Sequence, residues 1–171
     1  MKKAAKPGSR VINIVIAGLG GQGVLKSSDM LAYAAFRSGR DVKKAEVHGM
    51  SQRGGSVTSD VRFGDRVLSP MVPPGEADYL VVLENTQVEP ARHRLRDDGT
   101  LLQAAAIDRE SLPTAKALNV AMLGMLSVHL DIPEPNWYEA IEAHLPGNLH
   151  EANRKAFEVG RAAAGKEKSD A

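Results

Sequence analysis

Two short stretches of this chain concentrate the residue types that do chemistry. The segment His48-Gly49-Met50-Ser51-Gln52-Arg53-Gly54-Gly55-Ser56 places two basic side chains, an amide, hydroxyls and three glycines within nine residues. Successive backbone amides beside an arginine make an anion-binding nest, here formed by Gly54 and Gly55 next to Arg53. The same pattern suits a polar crossover turn, and Arg53 equally suits an interface anchor, a role in which arginine is enriched. The second stretch, Gly18-Leu19-Gly20-Gly21-Gln22-Gly23, follows an apolar run and precedes a helical pattern. In that context G-x-G-x-x-G aims amides at a helix N-terminus toward a phosphate, while the glycines also suffice for a tight turn and a close helix–sheet approach. Glu46 then imitates the acid that binds a ribose hydroxyl in dinucleotide folds. Register excludes a P-loop, because Val24-Leu25 stands where Lys and then Ser or Thr must be.

The remaining candidates point away from a self-sufficient active site. His144 and His150 flank Pro146-Gly147, and His129 ends an apolar segment, so none has the spacing of a metal ligand set. Neither a Gly-x-Ser-x-Gly elbow nor a His-Glu-x-x-His pair occurs. Trp137, Tyr138, Met122 and Met125 read as packing residues. With no cysteine, the chain supplies no thiolate to an iron–sulfur cluster or zinc site.

The elements that must position these loops follow from periodicity. Val11–Ala17 is nearly all apolar and reads as a strand covered on both faces. Val24–Ser38 reads as a helix with Gly39 as its C-cap, and Asp41–Val47 as a second strand. Ser56–Phe63 alternates as a half-exposed strand, with Gly64-Asp65 turning into a short returning strand Arg66-Val67-Leu68. Ala77–Leu83 is a second buried strand with Glu84 at its carboxyl end, where open α/β sheets place ligands. A helix over Val88–Leu95, stopped by Asp97-Asp98-Gly99, and a strand Thr100–Gln103 follow. Ser111–Lys116 reads as loop passing into helix. Asn119–His129 is apolar almost all round, a helix buried in the core or at a subunit contact. Helices over Asn136–His144 and Leu149–Ala163 close the chain. The fold expected is one three-layer α/β/α domain over 11–164, with a mixed, mainly parallel sheet and a helical C-terminal part. A basic leader 1–10 and a polar tail 165–171 flank it.

At 171 residues the chain is one domain in size, large enough to bury roughly 70% of its unfolded surface. Lys+Arg 22 against Asp+Glu 21 leaves a formal net charge of +1, so no global field calls for nucleic acid or an acidic membrane. Met1-Lys2-Lys3 and the apolar run after it lack the cleavage site of a secretory signal, and no stretch approaches the roughly 18 apolar residues of a membrane span. A cytoplasmic protein is expected.

Gly18–Gly23, the string Glu46–Val57, Ala77-Asp78-Tyr79-Leu80, and Asn119 with Leu123-Gly124 together resemble the gamma-type subunit or domain of 2-oxoacid:ferredoxin oxidoreductases. The pattern is nearest to the small (beta) subunits of the indolepyruvate type, it is shared by arylglyoxylate-type relatives, and it covers about Val11 to Gly160. The resemblance implies a component of a thiamine diphosphate enzyme that oxidatively decarboxylates a 2-oxoacid, forms an acyl-CoA and passes electrons through iron–sulfur clusters to ferredoxin. It further implies that thiamine diphosphate, Mg2+ and the clusters sit on a larger partner subunit, with no cofactor held wholly by this chain. Gly64-Asp65-Arg66 departs from the Gly-Asp-Gly that opens the family's thiamine–magnesium motif, and the chain is somewhat short for such small subunits. The surface turned toward the partner's active site or a CoA phosphate is then Gly18, Gly20, Gly21, Gln22, Gly23, His48, Gln52, Arg53, Gly54 and Gly55. Two other functions fit the residues: a free-standing dinucleotide-binding module using Gly18, Gly20, Gly23 and Glu46, and a purely structural interaction subunit.

Overall fold

The computed structural model describes residues 10–49 and 54–169. Strand β1 (Ile12–Leu19) forms the centre of the sheet because its side chains are apolar on both faces. Ile14 and Ile16 point to one layer, Val15 and Ala17 to the other. The other strands are β2 (Asp41–His48), β3 (Ser56–Gly64), β4 (Ala77–Val82) and β5 (Leu95–Gln103), in the order β2-β3-β1-β4-β5. β1 is parallel to β4, and β4 to β5, while β3 is antiparallel to both β1 and β2. Four strands therefore run one way and β3 runs against them.

The two layers are unequal. Helices α1 (Val24–Arg37), α3 (Leu118–Ser127), α4 (Glu134–His144) and α5 (His150–Ser169) share one core with the α1-facing side chains of the sheet. The opposite face is covered by the short helix α2 (Val88–Arg92) and by Val72 from the loop after β3. Each fully buried aliphatic side chain contributes roughly 1.5–3 kcal/mol, so the four-helix layer supplies most of the hydrophobic stabilisation.

Several expectations change. Arg66–Leu68 forms no strand. Both edges of β3 are already filled, by β1 and β2, so a returning segment has no ladder to join. The Val67 amide donates instead to the Asp41 carboxylate at 2.7 Å. The helix expected to reach Leu95 stops at Arg92, and Asp97-Asp98-Gly99 lies inside β5. There the register with β4 shifts, and a Cβ on Gly99 would meet the Ala77 carbonyl oxygen at 2.9 Å. The glycine is a close-approach residue rather than a stop. The segment Ser111–Lys116 belongs to a pair of 3-10 turns, Arg109–Ser111 and Ala115–Ala117. Their starts are capped by Asp108 and Thr114 side chains, which accept from the Glu110 and Lys116 amides. Helix α5 continues past Ala163 to Ser169.

Helix α3 is buried along all ten residues within this domain, so its apolar surface is covered without a second subunit. Its neighbour is α5, and glycines set their separation. A Cβ on Gly124 would overlap the Phe157 carbonyl, and one on Gly160 would overlap the Ala121 carbonyl. Backbone meets backbone there, and no flexible side chain can yield. Gly124→Ala or Gly160→Ala should therefore destabilise the domain by about 1–3 kcal/mol despite alanine's helix preference. Gly165→Ala, in the same helix but with open space around it, should stabilise by a few tenths to about 1 kcal/mol. Urea unfolding of the three variants measures the contrast, and equal signs would refute the packing account.

Candidate functional site

The carboxyl end of β1 turns at Gly20-Gly21-Gln22-Gly23 into α1. Gly21 and Gly23 take φ of 87° and 82°, a left-handed region that favours glycine, and Gly23 is the N-cap of α1. Gly18 is needed for space: a Cβ there would stand 2.8 Å from Val24 Cγ2. Gln22 closes the turn. Its Oε1 accepts from the Leu19 amide at 2.8 Å, and its Nε2 donates to Glu84 Oε2 at 3.0 Å, tying the turn to the carboxyl end of β4. The Gln22 amide donates to the Leu19 carbonyl at 3.2 Å.

The antiparallel β3 brings the second glycine loop to this same edge. β2 ends at His48 and β3 begins at Ser56, which brings Gly54 and Gly55 beside the first turn. Gly20 donates its amide to the Gly55 carbonyl at 2.9 Å, and a Cβ on Gly20 would press on the Gly54 amide at 3.3 Å. Gly54 itself has φ 65°. Gly49 donates to the Ser56 carbonyl at 2.6 Å, closing the base of the loop. The two glycine loops expected to act together are thus in backbone contact. His48 is exposed, and it lines a cleft of about 410 Å³ together with Gly20, Gly21, Gly23 and Lys26. Gln52 and Arg53 lie outside the described residues, as does Ser51.

This geometry differs from a dinucleotide cradle in two respects. The amides of Leu19, Gly20 and Gln22 already have acceptors within the chain. Glu46 is separated from the turn by β3 and is bound to Lys44 at 2.6 Å. Burial works against the Lys44 ammonium, yet hydrogen bonds to Asp29 and Glu46 hold its pKa above the ordinary lysine value. The pKa direction agrees with a carboxylate committed to its lysine.

Three more residues reach this turn: Asn119, which entered the sequence reading only as part of the family resemblance, and Arg109 and Lys116, which carried no motif. Asn119, on the first turn of α3, donates from Nδ2 to the Gly23 carbonyl at 3.4 Å and packs against Gly23. Arg109 and Lys116 line a second cleft of about 470 Å³ with Gly21, Gln22 and Gly23. The capping residues Asp108 and Thr114 were the available signal that the chain turns back toward the site there. No group of three or more His, Cys, Asp or Glu among the described residues is arranged to hold a metal ion. No helix among them is long and apolar enough to cross a membrane.

Residues 13–163 match the family described as pyruvate ferredoxin/flavodoxin oxidoreductase. The chain belongs to that family. It is 33% identical to the indolepyruvate oxidoreductase subunit IorB of Thermococcus kodakarensis, over 89% of this chain and 95% of that protein. A shorter match to IorB of Pyrococcus horikoshii reaches 54% identity over 72 residues, 42% of this chain and 36% of that subunit. The 2-oxoglutarate synthase subunit KorC of Archaeoglobus fulgidus is 28% identical over 88% of this chain and 87% of its own length. Among solved structures, the pyruvate oxidoreductase subunit PORC of Thermotoga maritima superposes with a TM-score of 0.72 at 24% identity, covering 88% of this chain and 95% of that one. This last likeness shows that the family member has the fold of a gamma-type subunit.

Within this family member, the Gln22 bridge is the element that holds turn, β1 and β4 in one arrangement. Gln22→Leu removes both hydrogen bonds at similar volume and should cost about 1–3 kcal/mol, with faster hydrogen exchange at the Leu19 amide. Glu84→Gln keeps an acceptor for Gln22 and should cost less. Denaturant midpoints and site-resolved exchange check this, and unchanged Leu19 exchange in Gln22→Leu would remove the bridge from the account.

Proposed function

We propose that the chain is the small subunit of a 2-oxoacid:ferredoxin oxidoreductase acting on an arylpyruvate such as indolepyruvate. In this reading it works in the cytoplasm with a larger partner that carries thiamine diphosphate, Mg2+ and iron–sulfur clusters. The observation that carries the proposal is the match to a curated indolepyruvate oxidoreductase subunit over nearly the full length of both chains. The chain's composition supports it, because without cysteine the cluster thiolates must come from elsewhere. Thiamine diphosphate, when bound on the partner, supplies stabilisation of carbanion character. The products are an acyl-CoA, CO2 and reduced ferredoxin.

This chain's own contribution is positional. Gly18, Gly20, Gly21, Gln22 and Gly23 with His48, Gln52, Arg53, Gly54 and Gly55 form the surface we assign to the partner's active site or to a CoA phosphate. Among its described residues the backbone is closed by Gln22 and by the Gly20–Gly55 bond, which supports the assignment because groups that need no reordering hold a ligand at lower entropic cost. The dinucleotide-module reading is disfavoured by the amides already occupied and by the pairing of Glu46 with Lys44.

Co-expression with the larger subunit and assay of 2-oxoacid-dependent viologen reduction tests the proposal. The isolated chain should be inactive and the co-purified complex active, with indolepyruvate preferred over pyruvate and 2-oxoglutarate. NAD, NADP and FAD should show no micromolar binding by calorimetry. Micromolar binding lost on Glu46→Ala would establish the dinucleotide module instead. Arg53→Ala should either raise the KM for CoA with the complex intact or split the complex, a loss of about 2–5 kcal/mol in either case. Arg53→Lys should not rescue it, since lysine keeps the charge and loses the planar donor set. An Arg53→Ala complex with normal assembly and kinetics would withdraw Arg53 from the site.

A further inference from the structure

On the face of the sheet away from α1, a pocket of about 250 Å³ opens between α2, the carboxyl ends of β1 and β2 and the amino end of the antiparallel β3. Its apolar walls come from Ala17, Val47, Pro90 and Ala91, and Arg94 lines it as well. The Arg94 guanidinium is fixed from within the protein. Nη2 donates to Asp60 Oδ2 at 2.7 Å and to the Val72 carbonyl at 3.0 Å. Asp60 is only 1% exposed, also accepts from the Val72 amide at 2.8 Å, and has its other oxygen buried without a hydrogen-bond partner.

A buried ion pair of this kind is weak evidence for stability, since well-packed apolar residues often serve as well or better. What the pair does achieve is orientation. Both Nη2 hydrogens are used, while the Nε and Nη1 hydrogens have no acceptor among the described residues. The Thr58 hydroxyl lines the same pocket, as does Ser56, whose hydroxyl donates to Gln87 at 2.7 Å. No acidic side chain is among the described lining residues. A mostly apolar pocket with a few converging polar groups is the usual form of a small-molecule site.

We infer that this pocket binds a small organic monocarboxylate with a compact apolar body, its carboxylate accepting from Arg94. Asp60 already balances the arginine's charge, so the ligand gains from oriented N–H donors and apolar contact rather than from net charge. Affinity is accordingly modest, with a Kd of about 1 mM for a ligand of benzoate's size.

Titration of the isolated, isotope-labelled chain with sodium benzoate tests this without any partner, so the result is separate from the proposed oxidoreductase role. Saturable amide shifts are expected at Ala17, Thr58, Ala91 and Arg94. Benzamide, the uncharged analogue, should bind at least about tenfold more weakly. Two substitutions fill the pocket without touching the Asp60–Arg94 pair: Thr58→Phe from β3, and Val47→Trp from a position already 46% exposed. Each should weaken benzoate by about tenfold or more. Absence of saturable shifts up to about 20 mM, equal binding of benzamide, or binding that survives both fillers would overturn the inference.

Discussion

The hydrogen bond from the Gly20 amide to the Gly55 carbonyl, 2.9 Å long, is the point on which the candidate site depends. It exists because β3 is threaded antiparallel between β1 and β2, so that the residues entering β3 stand beside the turn leaving β1. A Cβ on Gly20 would stand 3.3 Å from the Gly54 amide, close enough that Gly54 must give way slightly, and Gly54 takes a left-handed φ. Gln22 then fixes the other flank, binding Leu19 and Glu84 at once. The described residues of two glycine-rich segments 25 or more residues apart in sequence meet at one edge of the sheet by backbone contacts that need no charged side chain.

Behind that edge lies a close-packed helical layer. Asn119 reaches Gly23 from α3, a helix buried over its whole length. α3 in turn is locked to α5 where Gly124 and Gly160 let the two backbones touch. Close-packed interiors transmit displacement rather than absorb it, so the α3–α5 contact and the glycine turn are mechanically connected through Asn119. The opposite layer is thinner. There a buried charge pair, Asp60 with Arg94, stands between the sheet, the loop after β3 and the end of α2.

Local patterns were a reliable guide wherever one physical effect dominated. The apolar run of β1, the Val24 helix followed by Gly39 and the all-apolar α3 were each legible from the side-chain pattern. β3, by contrast, alternates as a half-exposed strand would, yet it is buried on both faces because Val72 and Arg94 cover Asp60, only 1% exposed, on its polar side. The two glycine loops were recognisable as candidates, and the structure places them together. What could not be read was pairing. Arg66–Leu68 has strand-like residues, but which edges of β3 are free is a property of the whole sheet. Asp97-Asp98-Gly99 carries the composition of a stop, and only the approach of the Ala77 carbonyl reveals why glycine is there. Arg109 and Lys116 reach the turn through two 3-10 segments too short to show a period.

The same topology explains why a dinucleotide-like fingerprint need not mean dinucleotide binding. In the usual doubly wound arrangement β2 lies next to β1, and the acid at its end is one strand spacing from the glycine turn. Inserting β3 moves that acid to two spacings, roughly 10 Å in all. Here Glu46 is, moreover, engaged by Lys44. The insertion also supplies Gly55 as an acceptor for an amide that would otherwise face a phosphate. One strand thus changes both halves of the motif: its acid is moved away and one of its donors turns inward. Function follows from the site rather than the fold, and here the described amides of the turn are spent on contacts within the chain. Backbone groups already held by bonds within the chain have little conformational entropy left to lose, and that distinguishes this turn from one whose amides wait for a phosphate.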